Sequence, residues 1–232
     1  MAHNWVVVSI VALEYRYECV SVEGFIQQLA VAYVARGYWF YVCGVIPDRK
    51  EPLKTDEKIM TQYGVKISKW ARARKKKSGQ SNVHYLRHGR FWVLVATHGE
   101  GFFFAAEGSG VRDFRKQPLV YHGYSVSSRR SRGGGSRHAS VRIERRQYLV
   151  LKAYFEEMAT KWSVERLAKE LGALPFERYA PVRNQLFMIW RAVNRRRKEA
   201  GLETLPQSFV PWRRRPVSPF APTTVCCEEK GV

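Results

Sequence analysis

Apolar residues recur along this 232-residue chain with two different periods, and each period predicts one kind of element. Short β-branched or aromatic runs, typical of strands, span 6–11, 38–46, 83–87, 90–97, 102–106, 119–127 and 138–143. After Ser21, a plausible N-cap, helical spacing continues to about Ala35, and Gly37 ends the predicted helix. This order predicts a β-α-β opening with parallel first strands in a mixed sheet.

A second helix is predicted from Thr55 to the basic residues that end at Lys77. Acidic residues in its first turn and basic residues in its last turn suit the helix dipole. Gly64 lies in the middle and predicts a kink or a close contact. The predicted buried stripe consists of Ile59, Tyr63, Ile67 and Trp70.

Helical spacing returns after residue 143 and predicts three helices over 144–203. The first has apolar positions from Tyr148 to Trp162, the second starts at Ser163, and the third has Pro181 in its first turn. The predicted organisation is an α/β (α+β) sheet domain over 1–143, a small helical unit over 144–203, and a flexible, proline-rich basic tail over 204–232.

The net charge adds a prediction about function to this prediction of the fold. The chain has 40 Lys+Arg and 20 Asp+Glu, a net charge of +20, with 45% apolar residues that exclude wholesale disorder. Residues 1–48 hold 2 basic and 4 acidic groups, whereas 49–98 hold 13 and 3. Because like charges repel in a compact state, such an excess predicts a polyanionic partner, with nucleic acid first.

The cysteines and the hydropathy of the sequence limit the compartments in which we expect the protein. The four cysteines form no C-x-x-C pair, which argues against a zinc finger or a disulfide framework and favours a reducing interior, cytoplasmic, nucleoid-associated or nuclear. No run reaches 18 apolar residues and no cationic stretch precedes the apolar segment 6–13, so we expect neither a membrane partner nor a signal peptide.

Four basic clusters are the predicted nucleic-acid contacts, at 72–77, 129–137, 195–198 and 213–215. Arginine forks match phosphate oxygens, and a mobile loop over 129–137 (RRSRGGGSR) resembles in composition the Arg-Gly segments of RNA-binding proteins. Solvated helix ends, a localisation signal or an ordinary surface loop are the alternatives. The predicted contacts are Arg72, Arg74, Lys75, Lys76, Lys77, Arg129, Arg130, Arg132, Arg137, Arg195, Arg196, Arg197, Lys198, Arg213, Arg214 and Arg215.

We therefore expect a nucleic-acid-binding protein, RNA slightly ahead of DNA, in a ribonucleoprotein with a possible protein partner or in a mobile-element complex. The segment 163–172 (SVERLAKELG) resembles the first helix and turn of helix-turn-helix proteins, but the helix after Pro181 is too long and too apolar for a typical recognition helix. Exposed aromatic residues could stack on bases, although core packing explains the aromatic strands better.

Strand cleavage is the alternative function. His98 at a strand end, with Tyr148 or Tyr154 on a later helix, resembles the metal site and tyrosine nucleophile of rolling-circle initiators and relaxases, without their His-hydrophobic-His pair. A metal-free, histidine-dependent ribonuclease is also open. Asp48 and Asp56 imitate a metal-nuclease signature, which turn and helix-start residues explain better. No cofactor is predicted, and Mg²⁺ or Mn²⁺ would enter only with a nuclease.

Overall fold

The computed structural model describes residues 15–131, 133–209 and 216–222. They form a mixed α+β fold with a five-stranded sheet, a three-stranded sheet and seven α-helices, which confirms the predicted class. The predicted first strand, 6–11, lies outside the described residues. None of the described helices has the length and apolar character needed to cross a bilayer.

The described residues form the following strands and helices. The strands are β1 (Glu18–Cys19), β2 (Tyr38–Val45), β3 (Val83–His88), β4 (Phe91–Thr97), β5 (Arg112–Asp113), β6 (Leu119–Tyr121), β7 (Tyr124–Arg130) and β8 (Arg137–Ile143). The helices are α1 (Val22–Gln27), α2 (Pro52–Gln62), α3 (Lys69–Lys77), α4 (Phe102–Glu107), α5 (Arg145–Met158), α6 (Val164–Gly172) and α7 (Ala180–Glu199). Helix α1 continues as a π-helix (Gln28–Tyr33) and a 3-10 turn (Val34–Arg36), and Gly37 ends it at φ 94°.

The larger sheet is covered on both faces. Its strand order is β1-β3-β4-β2-β5, with β1 parallel to β3 and the other pairs antiparallel. Successive β4 residues enter different buried clusters: Val93 and Val95 pack with α1, whereas Leu94 and Ala96 pack with Met60 of α2. This two-sided burial explains why β4 lacks the apolar–polar alternation of a half-exposed strand.

The second sheet, in the order β6-β7-β8, shares its core with the helices on either side. Val126 and Val141 lie in the same buried cluster as Phe25 of α1 and Leu186 of α7. One buried cluster therefore extends across position 143, where the sequence predicts a domain boundary. The division into separate domains stays a prediction.

Residues 102–106 are helical, so the predicted strand there is wrong. Glycines at positive φ, Gly101 at 152° and Gly108 at 47°, frame the short α4. Only Phe103 of its three consecutive phenylalanines is fully buried, and Phe104 packs edge-on against Phe40. A run of identical aromatic residues carries no period, which is why β-propensity alone misled the prediction.

Gly64, at φ 58°, does more than kink the predicted second helix. It ends the turn after α2, and α3 begins as a separate helix five residues later. The break resets the helical phase, so the predicted stripe fails after it: Ile59 and Tyr63 are half-buried against the cluster around Met60, whereas Trp70 is 74% exposed.

Part of the C-terminal tail is packed against α1. The Val20 amide donates to the Pro219 carbonyl at 3.1 Å, and the Gln27 side-chain amide bonds both backbone groups of Val217, at 2.6 and 3.2 Å. A Cβ on Gly24 would lie 2.8 Å from the Cα of Pro219, so the contact requires glycine. Within the predicted flexible tail, 216–222 is thus a docked segment.

Candidate nucleic-acid interface

Helix α3 is anchored by one of its arginines. Arg72 donates to the carbonyls of Val83 at 2.8 Å and Val65 at 2.5 Å, and the Asn82 amide donates to the Arg72 carbonyl at 3.1 Å. Ser68 caps the first turn by accepting from the Ala71 amide at 3.2 Å. Arg72, predicted as a phosphate contact, therefore holds the helix in place.

The opposite side of α3 presents a tryptophan beside cations. Trp70, Ala73, Arg74 and Lys77 follow one another at helical spacing on one side, and we call them the α3 face. All four are exposed, and none contacts a described carboxylate or ring. Lys75 and Lys76, two further predicted contacts, extend the charge around the helix end, and Lys75 is half-buried.

A second cationic region lies where the β7–β8 hairpin meets the turn after β5. Arg129 and Arg130 belong to β7 and Arg137 begins β8, so the predicted Gly-rich loop over 129–137 is shorter, with Gly133 and Gly134 at φ 89° and 82° between the strands. The shorter loop is a correction: the arginines pair in the sheet, with Arg130 opposite Arg137. Arg132 lies outside the described residues.

These arginines surround a recess of about 360 Å³, which we call the Ser128 recess. Its described lining includes no carboxylate; it consists of Phe114, Arg115, Lys116, Pro118, Ser127, Ser128, Arg129, Arg130 and Arg137. Arg115 is fixed by Asp113, its guanidinium 2.7 Å from the carboxylate, and it lies over the Trp39 ring at 5.0 Å. Hydrogen bonding to Asp113 raises the pKa of Arg115. The pair keeps the guanidinium oriented at the rim.

An adjoining recess of about 560 Å³ shares Pro118 and Arg129 with the first. We call it the Tyr148 recess, because this predicted catalytic candidate lines it together with Arg142 and Arg145. Burial raises the pKa of the Tyr148 hydroxyl, with a smaller contribution from Glu156. This direction disfavours the phenolate that a nucleophilic tyrosine needs.

The C-terminal end of α7 has a buried side and an exposed side. Arg197 is buried and donates to the carbonyls of Ala159 at 2.7 Å and Trp162 at 2.8 Å, so it stabilises the helical unit. Arg195, Arg196 and Lys198, the other predicted contacts of this cluster, are exposed. Lys198 and Arg195 line a third recess of about 460 Å³ with Arg191, and Arg195 lies 3.6 Å from Glu156.

The catalytic candidates do not form a common site among the described contacts. His98 is exposed and lies against Phe40, with ring centroids 6.3 Å apart. Tyr154 packs on Trp162, 5.7 Å between centroids, and no described contact joins either tyrosine to His98. Asp56 is fully buried and accepts from Tyr85 at 2.6 Å and from Arg87 at 2.9 Å. The nuclease-like carboxylate therefore belongs to a structural ion pair.

Over 15–131, 133–209 and 216–222, no group of three His, Cys, Asp or Glu residues is arranged to hold a metal ion. Arg213, Arg214 and Arg215, the fourth predicted cluster, lie outside the described residues. The segment resembling a helix-turn-helix is α6, capped by Ser163 and packed through Leu167 and Leu171.

No protein-family model, curated protein or solved structure matches this chain. The candidate interface therefore rests on the residues and geometry of the chain itself.

Sequence reasoning missed several residues that the fold adds to the interface. Arg115 and Lys116 reach the Ser128 recess from a turn, and Arg142 and Arg145 reach the Tyr148 recess, although neither pair stands in a dense basic run. No local signal marks them. Arg197 did carry a signal, because its spacing of four and eight residues from Val193 and Ile189 places it on the buried side of α7.

Proposed function

We propose that this chain binds nucleic acid, with RNA as the first candidate. The observation that carries the proposal is the α3 face, where an exposed Trp70 lies one helical turn from Arg74 and two turns from Lys77. Helical rise places these cations about 6 Å and about 10 Å along the axis from the tryptophan. That arrangement suits a strand whose base stacks on the ring while its phosphates meet the cations.

Physical chemistry explains why such a surface calls for a polyanionic strand. The exposed Trp70 leaves its indole ring open to a ligand, and neighbouring cations without carboxylates repel one another. A base offers a π-face to the indole, and the adjacent phosphates offset the repulsion. A single ligand then satisfies both features.

RNA stands ahead of DNA because RNA presents unpaired bases in loops, bulges and ends, where aromatic side chains can stack on them. The cationic recesses of the second sheet extend the contact beyond one nucleotide. A ribonucleoprotein is the setting that this combination favours, with the mobile-element complex as its DNA counterpart. The free thiols of Cys19 and Cys43 support a reducing compartment such as the cytoplasm.

Two matched double variants test the proposal. Arg74→Ala/Lys77→Ala removes two cations from the α3 face, whereas Lys54→Ala/Lys66→Ala removes two that pair with Glu51 and Glu57. Against a labelled single-stranded RNA, the first variant should flatten the slope of log K against log salt by about 1.4, and the control should leave it unchanged.

Equal slopes in both variants would show that overall charge, and not the α3 face, governs binding. Absence of RNA and DNA binding by the unaltered protein at low salt would overturn the proposed function altogether.

A further inference from the structure

We propose that the Ser128 recess is a specific binding site for one phosphate group, supplied by the end or the backbone of a nucleic-acid strand. The inference rests on the proposed function only in naming the strand as the source of the phosphate. A phosphate site itself follows from the recess, whose lining combines several arginines with a buried serine hydroxyl that has no described partner.

Ser128 is the observation that distinguishes this recess from a merely basic surface. The residue is 2% exposed and lines the recess, and its Oγ has no hydrogen-bond partner among the described residues. A buried hydroxyl without a partner destabilises the folded state, because it has lost its hydrogen bonds to water and has gained none within the protein. An oxygen acceptor in the recess would take the hydrogen bond that this hydroxyl lacks.

The arginines add a second and independent argument. Arg130 and Arg137 stand directly opposite each other on neighbouring strands. Like charges at such positions destabilise a hairpin. Lys116 and Arg129 add two more cations, and neither they nor the facing arginines make an ion pair with a described carboxylate. An anion held between the strands would convert the repulsion into attraction.

The backbone around the recess is fixed, so the site exists before a ligand arrives. The Ser128 amide donates to the Phe114 carbonyl at 2.9 Å, which joins the turn after β5 to β7. Asp113 orients Arg115: burial works to raise the pKa of this carboxyl, but hydrogen bonds from Arg115 outweigh it and hold the pKa below its usual value. The rim is therefore preorganised.

The size of the recess indicates what carries the phosphate. Its volume of about 360 Å³ is roughly ten times the ~30 Å³ that a water molecule occupies in the liquid. It is also at the lower end of the range for small-molecule sites. A phosphate with an attached sugar fits this volume better than a lone ion.

Ser128→Ala is the decisive variant, because it removes only the hydroxyl. We expect binding of inorganic phosphate and adenosine monophosphate, measured at constant ionic strength by amide NMR shifts, to weaken about 10-fold or more. The melting temperature without phosphate should not fall, because the lost hydroxyl had no partner. Ser140→Ala is the matched control: Ser140 is a buried serine on β8, outside the described lining, whose Oγ accepts from Arg142 at 3.4 Å.

A comparison of strands that carry a 5′-phosphate with strands that carry a 5′-hydroxyl distinguishes the two sources of the phosphate, the strand end and the strand backbone. Tighter binding of the phosphorylated strand, lost in Ser128→Ala, would assign the recess to a strand end. Equal binding of both strands, weakened alike by Ser128→Ala, would assign it to a backbone phosphodiester.

If phosphate does not perturb the recess, or if Ser128→Ala binds both phosphate and strands as well as Ser140→Ala does, the inference falls while strand binding by the α3 face can still stand. If the recess binds phosphate and adenosine monophosphate but the protein binds no strand, the proposed function falls and the phosphate site remains.

Discussion

The α3 face and the Ser128 recess are both cationic, yet they are built in opposite ways. On the α3 face the charges extend from a helix into solvent around one exposed ring, Trp70, and nothing described encloses them. In the recess the charges come from two strands and a turn, and they line it together with Ser128, whose buried hydroxyl has no described partner. The first can accommodate any base, whereas the second has a defined shape.

Under the proposed function, this difference would assign a separate task to each region. Stacking is tolerant of sequence because every base has a π-face. A preorganised recess loses less entropy on binding and fixes the position of one group. If the chain binds a strand as proposed, the α3 face would contribute affinity for unpaired nucleotides, and the recess would fix where along the strand the protein binds.

The largest expected effect distinguishes anchoring from binding within α3 itself. Arg72→Ala removes the side-chain hydrogen bonds to the carbonyls of Val65 and Val83, of which the Val65 carbonyl keeps the Ile67 amide as a donor. The free energy of unfolding should therefore fall by about 2 kcal/mol in urea denaturation. Arg74→Ala should leave it within about 0.5 kcal/mol. Equal losses of unfolding free energy in the two variants would contradict the assignment of anchoring to Arg72 and of binding to Arg74.

Trp70→Ala tests the stacking role directly. Affinity for a single-stranded RNA should drop about 10-fold, because base–aromatic stacking contributes about 1–3 kcal/mol per base, and affinity for a duplex should not change. Phe102→Ala, which removes another exposed ring, is the control. An identical loss for single strand and duplex would remove the difference between the two regions.

Acid should destabilise the fold through His84 of β3, which packs against Tyr15 and Tyr33. Burial, together with nearby Arg72, lowers the pKa of His84 from 6.5 to about 3. The unfolded chain therefore takes up the proton first, and stability falls as pH drops from 6.5 towards 3, by about 1 kcal/mol at pH 5.5.

Replacing His84 with Gln should remove this part of the acid dependence, measured as the free energy of unfolding at pH 7 and pH 5.5. Replacing His138 on β8, an exposed histidine, should keep it. A His84→Gln profile identical to that of the unaltered protein would contradict the assignment.

Local patterns predicted most of the elements. The π-helical continuation of α1 ends at Gly37 as expected, and Ser163 caps α6. The β3–β4 hairpin also forms, with its turn at Gly89 and Arg90, because His88 pairs with Phe91. These features depend on neighbouring residues only. Where prediction failed, as at Trp70, a stripe was extended across Gly64 although the turn there resets the helical phase.

The candidate site was predictable in its charge but not in its shape. The arginines of 129–137 are recognisable in the sequence, but the register that sets Arg130 against Arg137 is not. The recess also needs Lys116 and the bond between Ser128 and Phe114, which tertiary structure alone brings together. The helical spacing of Arg197 indicates that it is buried. The prediction treated it as a phosphate contact because basic residues stand on both sides of it in the sequence.

Salt dependence is the most direct test of the proposal that this protein binds a phosphate backbone. If the α3 face, the recesses and the end of α7 together neutralise six or more phosphates, affinity for a labelled RNA should fall roughly 10³-fold between 50 and 200 mM salt. A flat response over that range would contradict nucleic-acid binding through these cations.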